Sequence, residues 1–187
     1  MEHYYQTIPG WFFHEALFRR LIEEAPENSR FVEVGSWKGR SASFIGVEMI
    51  RADKGLHLFC VDHFEGSDEE IHRTDRDVIN GTLYETFLKN TEPVSGVVTV
   101  IVGSSEKAAR LVDDETKFVV YLDASHDYDS VLKDIKAWWP KVQSGGRLIG
   151  DDWAWPGVRK AVREFFQADI LLSAQHPRLP AWYVHKV

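Results

Sequence analysis

An α/β fold is predicted by this sequence: a doubly wound, mostly parallel seven-stranded sheet with an antiparallel last strand. Three observations carry that reading. Short apolar runs alternate with amphipathic stretches along the whole chain, without repeats, low-complexity tracts or a linker. Two of the runs, Phe118-Val-Val-Tyr-Leu-Asp123 and Arg147-Leu-Ile-Gly-Asp151-Asp152, end abruptly in acid, as buried parallel strands do when they deliver a charge to the rim of a sheet. A third run, Phe31-Val-Glu-Val34, breaks into Gly35-Ser-Trp-Lys-Gly39 before a helix starts, the strand–turn–helix order of a ligand crevice.

The elements follow in order. A first helix is expected over 11–24, with Phe12, Ala16, Leu17 and Leu21 as its apolar stripe. Strand 30–34, helix 41–51 and strand 56–62 come next, then a polar stretch over 65–77 and a helix over 77–90. Strand 97–102 leads to helix 106–111. Strand 118–123 leads to a helix over 127–139, with Val131, Ile135 and Trp138 at helical spacing and Pro140 as its stop. Strand 147–150 and helix 158–167 follow. Two short strand-like segments, 170–173 and 182–187, have no helix between them and read as a hairpin whose final strand runs antiparallel. The expected organisation is a single domain over 1–187, with 1–29 as an N-terminal helical segment.

Bulk properties exclude several classes. With 44% apolar and 27% charged residues the composition is that of a globular protein. A net charge of −7 offers no basic stripe for displacing phosphate counterions, so nucleic acid is not an expected partner. The one cysteine, Cys60, lies in a mostly apolar run and reads as an inert core thiol. The N-terminus has neither a basic nor an apolar leader region, and no window approaches the roughly 20 apolar residues of a membrane span. A cytoplasmic protein that does not engage a membrane is the default reading, and a homo-oligomer is compatible with it.

The two acid-ended strands flank one helix, so both ends emerge at the same edge of the sheet, where ligands bind in open α/β folds. Adjacent strands lie about 4.8 Å apart, close enough for Asp123 and Asp151 or Asp152 to share one cation. Magnesium, a hard cation wanting about six oxygens at about 2.1 Å, suits three aspartates supplemented by water or substrate oxygens. In an extended strand Asp151 and Asp152 point to opposite faces, so a shared ion requires the strand to end at Gly150 and the chain to bend there. The alternative is a metal-independent enzyme in which one acid orients substrate and the other is solvated.

In the turn after the first strand, Gly35 permits a tight bend with close ligand approach, and Gly39 lets the helix pack near the sheet. Asp62 ends the second strand, 27 residues after Gly35, where it can accept hydrogen bonds from ribose hydroxyls; the bland alternative is a surface acid at a strand end. Glu33 discriminates between cofactors. A carboxylate beside the turn repels a diphosphate and attracts an ammonium. Lys38 and Arg40 argue the other way unless their side chains point to solvent. The Gly-x-x-x-Gly spacing also departs from the dinucleotide fingerprint, and the balance favours S-adenosylmethionine over NAD.

Together these residues resemble a class I S-adenosylmethionine-dependent methyltransferase with a Rossmann-like fold, closest to the metal-dependent sugar O-methyltransferases of the macrocin (tylosin-pathway) type. The resemblance covers most of the chain and rests on Val32-Glu-Val-Gly-Ser-Trp-Lys-Gly-Arg-Ser41, Tyr121-Leu-Asp-Ala-Ser-His-Asp-Tyr128 and Gly145-Gly-Arg-Leu-Ile-Gly-Asp-Asp152. Ile8-Pro-Gly-Trp-Phe12 fits related bacterial sequences as well. It implies magnesium on Asp123, Asp151 and Asp152, with His126 as general base. It further implies S-adenosylmethionine along Glu33, Gly35, Ser36, Trp37, Gly39, Ser41, Asp62, Ser104, Ser105 and Asp123. The acceptor is then a small-molecule or glycan hydroxyl with a neighbouring oxygen. Macrocin-type members often carry a further N-terminal domain or longer lid segments, and only about 30 residues precede the first strand here, so substrate identity stays open.

Each of these residues has a plainer reading. His126 is either a base with a pKa near neutrality or a polar residue beside a helix N-cap. His63 is expected to line the adenine pocket. His3, His14, His57, His72, His176 and His185 lack metal-ligand spacing and read as surface or packing residues. Ser104 and Ser105 either bond the adenine or start the next helix. Trp37 either shields the sulfonium or staples the helix. Trp153 and Trp155 suit a sugar or an aromatic ring beside the acids, or pack against the last helix, whereas Trp138 and Trp139 read as structural. The stretch 65–77 carries six acids and is either a mobile loop or a lid. A non-catalytic nucleoside-binding module and an NAD-dependent oxidoreductase are the competing classes. The sequence holds no serine elbow and no zinc-type Cys/His cluster.

Overall fold

The computed structural model describes residues 1–167, 170–173 and 180–187. Strands β1 (Arg30–Val34), β2 (His57–Asp62), β3 (Val98–Val102), β4 (Lys117–Leu122), β5 (Val142–Gly150), β6 (Leu171–Leu172) and β7 (Trp182–His185) form one sheet in the order β3-β2-β1-β4-β5-β7-β6. The first five are parallel. β7 runs antiparallel to β5 on one side and to β6 on the other, so the seven-stranded mixed sheet matches the expectation. β6 is shorter than the segment 170–173 expected for it. Residues 174–179 lie outside the described residues, and the reading of His176 falls there.

Helices α1 (Glu15–Glu24), α2 (Arg40–Ala52), α3 (Glu70–Arg73), α4 (Arg76–Asn80), α5 (Leu83–Thr91), α6 (Ser105–Ala109), α7 (Tyr128–Trp138) and α8 (Pro156–Phe166) accompany the sheet. Side chains alternate between two apolar layers, as the period of a strand requires. From β4, Val119 and Tyr121 join the layer containing Phe18, Leu21, Phe44 and Ile45. Val120 and Leu122 join the layer containing Ile135, Trp138, Val158 and Val162. In the first layer Glu33 pairs laterally with Cys60 and Tyr121, and Tyr121 with Ile149. A carboxylate therefore sits in an otherwise apolar row.

Four expectations need correction. Residues 11–14 are not helical: burial alternates there, with Phe12 and His14 inside and Trp11 and Phe13 outside, a period of two rather than the helical 3.6. The helix expected over 77–90 is two helices, because Gly81 at φ +67° ends α4 in a left-handed cap. The stretch 65–77 is only partly irregular: residues 70–73 form α3 and Arg76 and Asp77 start α4, with the Asp75 side chain accepting from Asp77 N–H. β5 starts at Val142, five residues before the expected strand, and carries Gly145 and Gly146 within its ladder. No helix among the described residues is long and apolar enough to cross a membrane.

β1 and β4 are neighbours at the point where the strand order reverses, the switch point of a doubly wound sheet. The ladder continues one residue beyond the strands: Asp123 N–H donates to Val34 and Asp151 N–H to Leu122. Because Leu122 is in register with Gly150, Asp123 and Asp151 leave the sheet side by side.

Candidate active site

The turn after β1 is held by Asp62. Its Oδ2 accepts from Ser36 N–H and Trp37 N–H, both at 2.9 Å, and its Oδ1 accepts from Phe64 N–H at 2.8 Å. A carboxylate has about four acceptor positions, so about one remains for an outside donor. The expectation that both oxygens serve a ribose diol is narrowed accordingly. Gly35, at φ +90°, has no space for a side chain, since a Cβ would stand 2.1 Å from the carbonyl oxygen of Asp123. It is glycine because the β4 backbone crosses there, as well as because the turn is left-handed. At Gly39 a Cβ would meet Thr91 and Phe87, which makes it a packing position beneath α5 that borders neither cleft described below.

Glu33 is fully buried. Burial raises its carboxyl above the usual range, opposed by contacts with Ser41, Ser36 and Cys60, while Asp62 adds to the rise. Ser36 donates to its Oε2 at 2.7 Å, and Oε1 has no partner. A buried carboxylate oxygen lacking a donor fits an ammonium group of an amino-acid tail. Lys38 does not point to solvent: its ammonium lies 2.7 Å from both Asp75 and Asp77. Arg40 donates to the Ile8 carbonyl. The cations that argue for a diphosphate on sequence grounds are thus engaged elsewhere.

Two clefts open at this edge. One, of about 260 Å³, is bordered by Gly35, Trp37, Asp62, His63, Ser104, Ser105, Asp123 and Asp134, among others. Trp138 Nε1 donates to Ser105 Oγ at 2.8 Å. Burial raises the Asp134 carboxyl to about 6, moderated by a hydrogen bond from Ser105. The other cleft, of about 320 Å³, is bordered by Trp11, Phe13, Ser36, Ser41, Ile71, His126, Asp151, Asp152 and Trp155. Five residues line both: Gly35, Trp37, His72, Asp123 and Ala124. Trp37 stacks on His72, with ring centroids 4.1 Å apart.

The acid rim forms as the bend requirement demands. β5 ends at Gly150, and Asp152 adopts φ +59°, which swings its side chain back beside that of Asp151. Gly150 itself is set by Trp182, which fills the space a Cβ would take. Ligand oxygens of Asp123, Asp151 and Asp152 lie within 4.8 Å of one another. Burial and the charges of Asp151, Asp152 and Glu33 push the Asp123 carboxyl well above the carboxylate range. Three hard oxygen donors crowded against their own repulsion fit a hard divalent cation.

Sequence reasoning missed two supports of this rim. Tyr121, buried two residues before Asp123 on the same face of β4, faces both acids, its hydroxyl 3.1 Å from Asp123 Oδ2 and 3.2 Å from Asp151 Oδ2. Burial, then the charges of Asp123 and Asp151, drive its pKa far up, so it stays a donor. Strand parity was the signal that could have found it. His14 is completely buried, and its Nε2 stands 2.9 Å from Asp151 Oδ1. Burial works to raise the Asp151 carboxyl, but His14, the Asp152 N–H and Tyr121 together outweigh it and the net shift is downward.

His126 reaches the rim from the loop after β4. Its Nε2 lies 2.6 Å from Asp152 Oδ2, its Nδ1 3.0 Å from Glu69 Oε1, and its ring stacks on Trp155. Burial lowers its pKa, yet Asp152 and Glu69 together raise it on balance. Glu69, at the head of α3, was read as part of a polar stretch; with Lys38 gripping Asp75 and Asp77, that stretch lies folded against the site.

A family model described as a methyltransferase domain matches residues 32–153. The chain belongs to this methyltransferase family. The NAD-dependent oxidoreductase and non-catalytic readings are thereby set aside. No curated protein matches the sequence. Among solved structures, the O-methyltransferase NovP is similar at 20% identity and TM-score 0.69, over 92% of this chain and 79% of that one. CalS11, a TDP-rhamnose 3′-O-methyltransferase of calicheamicin biosynthesis, is similar at 17% identity and TM-score 0.60, over 89% and 76%. The S-adenosylhomocysteine-bound methyltransferase PaMTH1 of Podospora anserina is similar at 14% identity and TM-score 0.67, over 96% and 80%. At such identities the likeness establishes the fold.

Proposed function

We propose that this methyltransferase moves a methyl group from S-adenosylmethionine to a hydroxyl of a small molecule that carries a second oxygen beside it. Magnesium would be held by Asp123, Asp151 and Asp152. The observation that carries the proposal is the junction of the two clefts at Gly35, Trp37 and Asp123, with Asp151 and Asp152 bordering the second cleft and not the first. A sugar ring, as the macrocin-type resemblance suggests, meets the description of the acceptor, and so does an aromatic diol.

The donor supplies an electrophilic methyl group on a sulfonium that is already a good leaving group. Magnesium at the three aspartates would acidify the acceptor hydroxyl and hold it in place. Glu33, buried behind Ser36 and Ser41 and bordering neither cleft, attracts the ammonium of the donor's amino-acid tail from beneath the turn, and Asp62 offers its remaining acceptor position to a ribose hydroxyl. Trp37 and His72 form a wall common to both clefts and keep water from the junction. His126, held between Glu69 at Nδ1 and Asp152 at Nε2, takes the proton of the acceptor hydroxyl when its ring is neutral. One oxygen–methyl bond forms as the methyl–sulfur bond breaks, and a neutral thioether remains.

A metal-independent route has one observation in its favour, the contact between His126 and Asp152, which resembles a base held by an acid. Methyl transfer to an aromatic or sugar diol, measured before and after exhaustive chelation, separates the two. Loss of transfer on chelation and return with magnesium supports the metal route, and undiminished transfer supports the acid–base pair alone.

A further inference from the structure

We propose that the acceptor is a planar aromatic ring with two adjacent hydroxyls rather than a sugar, an inference that rests on the O-methyl transfer reading of the acid rim. Large apolar side chains left in water usually mark a binding surface when they gather in one place. Here four of them gather in the cleft over the rim: Trp11 at 53% exposure, Ile71 and Trp155 at 50% each, and Phe13 at 37%. They come from three separate segments of the chain, and they include both tryptophans that are exposed among the described residues.

The polar side chains of the same cleft are largely committed to one another. Ser36 donates to Glu33, and Ser41 contacts Glu33 as well. His72 is hydrogen-bonded to Ser67, and Glu69 faces His126. Arg40 spends one guanidinium nitrogen on the Ile8 carbonyl. A sugar carries hydroxyls around its whole ring, and a site that binds one selectively must present free donors and acceptors to them. Away from the acid rim, which can serve two adjacent oxygens, the free polar atom on this cleft's lining is Arg40 Nε, and apolar faces make up much of the rest. Offset or edge-on packing against Trp11 and Trp155 would fix the plane of an aromatic ring while the rim holds its two oxygens.

The test uses the full chain with S-adenosylmethionine and magnesium, and two probes, nitrocatechol and methyl rhamnoside. Nitrocatechol should be methylated with a kcat/KM at least about 100-fold above that of the rhamnoside. Trp11→Ala should raise KM for nitrocatechol about tenfold and leave S-adenosylhomocysteine affinity unchanged. Trp155→Ala should do the same, and Trp11→Ala guards against its contact with His126. Preference for the rhamnoside, or an unchanged KM in both tryptophan variants, overturns the acceptor class while the transfer reading stands. Nitrocatechol that binds in a Trp11-dependent way, followed by its absorbance, but is never methylated supports the class and sinks the transfer reading. If the folded protein neither binds nor methylates nitrocatechol, the acceptor class is wrong.

Discussion

The cleft beside β1, β2 and β3 and the cleft over the acid rim share five side chains but are built from different parts of the chain. The first is made from strand ends and the turns just after them: Asp62 caps the β1 turn, and Ser105 is locked to Trp138 and Asp134. Its polar groups are set in place by contacts close in the fold, and Asp62 keeps about one acceptor position for an outside donor. The second takes its walls from residues 10–13, from the 69–72 region and from Trp155, none of which lies in the sheet. Its apolar side chains Trp11, Phe13, Ile71 and Trp155 stay about half exposed, and Trp155 stacks on His126. Fold-determined geometry thus serves the common donor, and segments hung on the fold serve the particular acceptor.

Substitutions can break this division. His126 borders only the second cleft, so His126→Ala should lower kcat by about 10²–10⁴ while S-adenosylhomocysteine affinity in calorimetry stays within about twofold. A matching loss of product affinity would mean that the clefts are not separable. Asp134, in the first cleft, is protonated more readily in the folded chain, at about 6 against the ordinary 3.8 of an aspartate. Its folded pKa is raised, so the native state binds the extra proton and stability falls as pH rises from about 4 to about 6, by about 3 kcal/mol. Asp134→Asn should flatten that slope in denaturant unfolding and leave the rim untouched; an unchanged slope would show that the carboxyl is not the cause.

Smaller effects sharpen the comparison. His14→Ala should cost about 1.5–3 kcal/mol of unfolding free energy by removing a partner of the buried Asp151, and weaken manganese binding at the rim. His14→Gln should restore most of the manganese binding, because the amide retains a donor. The smallest effect is a shift along the pH axis. Asp152 and Glu69 raise the His126 pKa, and a base acts when neutral, so the rate should climb as pH passes through that raised value. Glu69→Gln removes one of the charges and should move the rising limb of the rate profile to lower pH. A limb that stays in place would mean that Glu69 does not act on the base.

What could be read before folding follows the same division. The strands, their acid ends and the glycine turn are local patterns, and parity along β4 and β5 placed Asp123 beside Asp151 correctly. The residues that were missed or misread depend on contacts across the chain. His14 reads in sequence as a surface or packing residue within a helix over 11–24, because a short alternating segment, 11–14, adjoins a true amphipathic helix. The turn at Asp152 depends on a left-handed backbone in a non-glycine residue, which composition does not signal. Gly145 and Gly146 looked like a break before β5, yet the strand runs through them. The second role of Asp62, holding the β1 turn through three backbone N–H groups, has no pattern in sequence that reveals it.

The most direct test of the two-cleft account is a pair of binding measurements on the Asp151→Asn, Asp152→Asn double variant: manganese by electron paramagnetic resonance and S-adenosylhomocysteine by calorimetry. Both substituted acids border the second cleft and neither borders the first. The account predicts that manganese affinity falls at least about 100-fold, as expected when two of three charged ligands are neutralised, while product affinity stays within about twofold. Undiminished manganese binding, or a loss of product binding as large as the loss of metal in a protein that still unfolds cooperatively, would contradict it.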